Sequence, residues 1–164
     1  MTEKKQYPKN YLLSDAVMEN GYIKLSPEEI EQALKNGALA NVRDEDGKTP
    51  MMRAKDSPQM AVLKKYNASV NDCDNNGQSV LHHANTVDKV RFLIAQEELD
   101  VSKRDRWNKT ALDWFKWDVN KGHTGQKSEY EQIIQLIDNA IKSKPRIVMR
   151  RSCVTTDYDG RGRS

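Results

Sequence analysis

The chain contains one stretch written three times. It reads Asp44-Glu45-Asp46-Gly47-Lys48-Thr49-Pro50-Met51-Met52-Arg53-Ala54, then Asp74-Asn75-Asn76-Gly77-Gln78-Ser79-Val80-Leu81-His82-His83-Ala84. The third copy is Asp105-Arg106-Trp107-Asn108-Lys109-Thr110-Ala111-Leu112-Asp113-Trp114-Phe115. The opening aspartates stand at 44, 74 and 105, offsets of 30 and 31 residues. Self-similarity at such a period predicts a stacked repeat, in which each unit buries its apolar face only against its neighbours.

Each copy carries the punctuation of a turn followed by a helix. Gly47 and Gly77 supply a residue that takes positive φ at little cost, and Asn108 is the usual second choice. Thr49, Ser79 and Thr110 are N-cap residues whose hydroxyls can accept a backbone N–H. Pro50 sits at the first helical position, where its missing N–H costs nothing. Thr110 with Asp113 approximates a capping box. Asp44, Asp74 and Asp105 read as turn residues holding their own backbone amides.

The pattern Asp-x-x-Gly-x-Thr-Pro-Leu-His-x-Ala resembles the opening of an ankyrin repeat. Val62-Leu63 and Phe92-Leu93 fall where that family has its second, buried helix, and Asn67-Ala68-Ser69-Val70-Asn71 is similar to its closing segment. The resemblance implies an all-α ankyrin-repeat solenoid of helix-turn-helix units with degenerate caps and a basic C-terminal tail. The expected divisions are a flexible N-terminus over 1–9 and an N-terminal capping helical pair over 10–43. Repeats follow at 44–73 and 74–104, then a C-terminal repeat at 105–142 with an inserted loop at 118–127, and a basic tail at 143–164. In the cap, Tyr11–Asn20 has helical spacing, and Ser26-Pro27-Glu28-Glu29 is a capping box that starts a helix through Ile30, Ala33 and Leu34.

Residues 1–141 hold 20 basic and 22 acidic side chains, whereas 142–164 hold seven basic and two acidic. A near-neutral body therefore carries a cationic end. No run approaches the ~18 apolar residues of a membrane span, and Met1-Thr2-Glu3-Lys4-Lys5-Gln6 lacks the apolar core of a secretory signal. Cys73 and Cys153 fit no metal-ligand spacing. A reduced, cytoplasmic setting is the simplest reading, with no membrane role, no cofactor and a monomeric free state.

No nucleophile–base–orienter set emerges, so the chain is expected not to be an enzyme. In the family His82 would hydrogen-bond between units and His83 would point to the concave face. Two surfaces would bind, the turn tips and the concave face of the first helices. The candidate contact residues are Asp46, Asn76, Gln78, Arg106, Trp107 and Lys109 at the tips, with Arg53, His83, Trp114 and Trp117 on the concave face. All three tryptophans lie within 107–117, and Trp and Arg are enriched among interface hot spots. The function implied is a non-catalytic protein-interaction module, an adaptor or stoichiometric inhibitor of a protein partner. Two alternatives stay open: a pathogen or viral effector directed at a host or defence protein, and a nucleic-acid-binding accessory using the basic tail.

Overall fold

The computed structural model describes residues 21–122 and 127–143. The helix expected over 11–20, residues 123–126 and the tail from 144 onward lie outside the described residues. The elements are α1 (Pro27–Lys35), α2 (Pro50–Arg53), α3 (Ser57–Lys65), a 3₁₀ helix (Val80–His83), α4 (Val87–Ile94), α5 (Ala111–Lys121) and α6 (Lys127–Ser143). The protein is all-α: among the described residues there is no strand, and the β-bridges are isolated pairs, Cys73 with Ser79 and Arg104 with Thr110.

The helices pack in two rows. α2 touches the 3₁₀ helix, which touches α5. Behind them α1 touches α3, α3 touches α4, and α4 touches α6. The buried stripe of the second row is Ile30, Ala33 and Leu34, then Met60 and Leu63, then Val90 and Leu93, then Ile133, Ile137 and Ala140. These positions recur at the three- and four-residue spacing of one helical face. Ile141 of α6 lies off this stripe and is exposed.

The N-caps are used unevenly. α1 starts with the expected capping box, Ser26 with Glu29, and α5 starts with Thr110 and Asp113. The hydroxyl of Thr49 has no hydrogen-bond partner among the described residues, although it is buried. In the four-residue α2 the N–H of Met52 goes to the Thr49 carbonyl (3.0 Å), so the tight turn consumes the donor that a cap would use. α3 takes its cap from Asp56, whose side chain accepts from Gln59 N–H.

Residues 118–121, expected in a loop, continue α5. Gly122 ends that helix in the left-handed region at φ +68°. No helix among the described residues is long and apolar enough to cross a membrane.

Candidate functional site: three locked turns and an aromatic row

The three turn aspartates are each used twice. One oxygen of Asp44 accepts the N–H groups of Asp46 (3.0 Å) and Lys48 (2.9 Å). The same oxygen of Asp74 accepts those of Asn76 (2.8 Å) and Gln78 (3.0 Å). In Asp105 it accepts those of Trp107 and Lys109, both at 2.9 Å. The second oxygen takes a side-chain donor nine positions on: Arg53 Nε to Asp44 (2.9 Å), His83 Nε2 to Asp74 (2.9 Å), and Trp114 Nε1 to Asp105 (2.6 Å). Guanidinium, imidazole and indole thus fill one structural position, because each presents an N–H at the required reach.

Successive turns are joined through the backbone. Asn75 N–H donates to the carbonyl of Asp46 and Arg106 N–H to that of Asn76, both at 3.0 Å. His82 also spans units, with Nε2 at 3.2 Å from the carbonyl of Lys109. Its Nδ1 accepts the N–H of Ser79 (3.1 Å), which sets the neutral tautomer with the proton on Nε2. Burial holds the His82 pKa below its ordinary value. For Asp74, burial acts to raise the pKa, but the His83 bond and the N–H groups of Gln78 and Asn76 outweigh it and leave the carboxyl lowered.

Three of the expected contact residues are therefore committed inside the fold. Arg53 is half-buried and also bonds Asp46 (2.9 Å) and the Gly21 carbonyl (3.3 Å). His83 is half-buried on Asp74, and Trp114 is half-buried on Asp105. Asn76 and Gln78 lie half-buried at the middle turn, with their backbone amides on Asp74. Asp46 is exposed but paired with Arg53 at the first turn, so these residues are spread along the stack.

The remaining four come together on the last unit. Arg106 stacks on the Trp107 ring at 4.2 Å. Trp107 meets Trp114 edge-to-face (5.9 Å between centroids, 85° between planes), and Trp114 meets Trp117 likewise (5.8 Å, 80°). Trp107 and Trp117 are 47% and 46% exposed, and Lys109 is exposed on the same turn. Edge-to-face pairs stabilise one another beyond the area they bury. The row is thus a fixed surface, with its central ring tied to Asp105.

One buried group escaped the sequence reading. Lys89 on α4 is 2% exposed, donates to Asn85 Oδ1 (3.3 Å), and lies 4.6 Å from the centroid of the Tyr22 ring. The Tyr22 hydroxyl accepts from Asn85 Nδ2 (2.6 Å). Burial pushes the Lys89 ammonium down to about 8. The signal was present, since Lys89 shares the helical stripe of Val90 and Leu93. Lysine's usual solvent preference concealed it.

No protein-family model matches the chain. The chain is similar to a Caenorhabditis elegans protein described as "Putative glutaminase 2", 30% identical over 114 residues. That match takes in 66% of this chain but spans only 17% of the relative's length. It corrects the expectation that the chain is not an enzyme: a relative bearing an enzyme's name matches about two thirds of it. The exclusion of enzymatic function is withdrawn.

Proposed function

We propose that the chain is an ankyrin-like stack that binds a protein partner through the turn tips and first-helix face of its last unit. The observation that carries this reading is the exposed pair Trp107 and Trp117, held on either side of Trp114. The two large rings remain about half exposed, and an aromatic surface of this kind is where binding energy concentrates. The repeated turn locks and the backbone bonds between turns support the ankyrin-like arrangement. A preorganised surface loses little entropy on docking, so a few anchors give useful affinity. The module would work by occupying or bridging a surface, as an adaptor or stoichiometric inhibitor.

Affinity capture with the intact chain beside a Trp107→Ala, Trp117→Ala variant, read by mass spectrometry, tests this. Trp114 is left in place because its bond to Asp105 supports the turn. A protein captured by the intact chain and lost by the folded variant is the expected result. Equal capture by both would overturn the assignment of the site.

The comparison with the C. elegans protein favours a second reading, that the chain is a part of, or works beside, an enzyme acting on glutamine. Incubating the purified chain with glutamine and measuring ammonia release tests the direct form. Release that scales with protein concentration would establish activity in this chain, and a flat trace would confine the link to association.

A further inference from the structure

We infer that the aromatic row of the last unit takes an acidic linear peptide segment carrying one large apolar anchor, an inference that rests on the protein-binding reading above. The apolar seat is the pair of exposed rings, Trp107 and Trp117, at either side of Trp114. The indole N–H of Trp114 is already given to Asp105, so the ring of Trp114 contributes hydrocarbon rather than a donor. An aliphatic or aromatic side chain fits such a surface better than a polar one.

Charge selects the rest of the ligand. Arg106 lies over Trp107, and Lys109 is exposed on the same turn. Lys116 and Lys121 are exposed on α5, and Lys116 is only loosely paired with Asp138 at 3.6 Å. Two carboxylates on the turn and first helix of this unit are engaged within the fold. Asp105 is 6% exposed and accepts three N–H groups. Asp113 caps α5 through Thr110 and faces Arg104 at 3.8 Å. The turn that carries Trp107 therefore presents two exposed cations, Arg106 and Lys109. The first turn is the opposite: exposed Glu45 and Asp46 lie there, and Arg53 is consumed by Asp44 and Asp46. An anionic ligand is steered away from that end and toward the last unit.

A single-stranded nucleic acid is also anionic, but the rings do not suit it. Successive bases need a row of open ring faces along a cationic track. Here adjacent planes stand at 85° and 80°, and the guanidinium of Arg106 covers a face of Trp107.

Selection of a displayed random peptide library on the full chain tests the inference, followed by fluorescence anisotropy with the enriched peptides and with a labelled oligothymidine. Enrichment of sequences that combine Asp or Glu with one Leu, Phe or Trp is expected. Their affinity should fall about tenfold with Arg106→Glu, Lys109→Glu and about 30-fold with Trp107→Ala, Trp117→Ala. Circular dichroism checks that each variant is folded, and all four side chains are exposed. Enrichment of neutral or basic peptides, no enrichment, indifference to both variants, or preferential binding of the oligonucleotide would each overturn it. If no acidic peptide binds while the intact chain still captures a protein lost by the tryptophan variant, this inference fails and the binding module stands. If that capture fails too, both fall.

Discussion

At the scale of the residue, a turn aspartate in this chain satisfies two backbone N–H groups with one oxygen and fixes a side chain with the other. Asp105 is the most committed, because its second oxygen holds the centre of the aromatic row. Asp105→Ala leaves those donors without their acceptor, and a buried group so orphaned is costly. Urea denaturation should show a loss of about 3 kcal/mol, with Trp emission altered even in the folded state. Asp74 adds a pH term. Its folded pKa is lowered, so its contribution is present above the unfolded carboxylate range and is lost as pH falls through the folded value. Lys89 acts at the other end of the scale. Its folded pKa of about 8 lies below the ordinary 10.5, so below pH 8 the fold carries a buried ammonium, and stability rises as pH goes from about 8 to 10.5. Lys89→Met removes that slope. Denaturation at neutral and at high pH should show the variant's advantage over the intact chain shrinking by about 2–3 kcal/mol as pH rises.

At the scale of the element, the same cap residue behaves differently according to the helix behind it. Thr110 opens an eleven-residue helix and its hydroxyl is used, whereas Thr49 opens one of four residues and its hydroxyl is not. The sequence already separates the two, since Asp113 completes the Thr110 box while Met52 stands at the matching position after Thr49. Glycines divide in a similar way. Gly47 (φ +76°) and Gly122 (φ +68°) both lie in the left-handed region. A Cβ on Gly47 would meet Asn75 Oδ1 at 2.3 Å and Asn75 N at 2.9 Å, while one on Gly122 meets nothing within 4 Å. Gly122→Ala should therefore cost about 1 kcal/mol, the conformational term alone. Gly47→Ala should cost clearly more, because it also forces Asn75 off Asp46 and Glu45. Thermal melts of the two variants side by side check the order.

At the scale of the whole molecule, α4 is the joint of the stack, packed on α3 and on α6. Leu93 is fully buried there. Leu93→Ala should cost about 2–4 kcal/mol and lower the midpoints read by far-UV circular dichroism and by Trp emission together. Separate midpoints would mean that the last unit melts independently of the others. Much of the frame was legible in the amino-acid order. The thrice-written turn, the positive φ at Gly47, Gly77 and Asn108, the boxes at Ser26 and Thr110 and the apolar stripes are local patterns, set by backbone sterics and helical period within a few residues. The candidate contact residues were legible only as a list of ten positions. Arg53, His83 and Trp114 look like free contact residues in sequence, yet each is drawn onto an aspartate nine positions back when the turn closes. The continuation of α5 through Lys121 was hidden for the same kind of reason, since a polar run reads alike as loop or as exposed helix until packing decides. Sequence by itself determined the repeat, its turns and its helical character, because those depend on neighbours along the chain. Tertiary structure alone decided which polar groups are spent inside and which rings are left to water, because that depends on what folding brings opposite them.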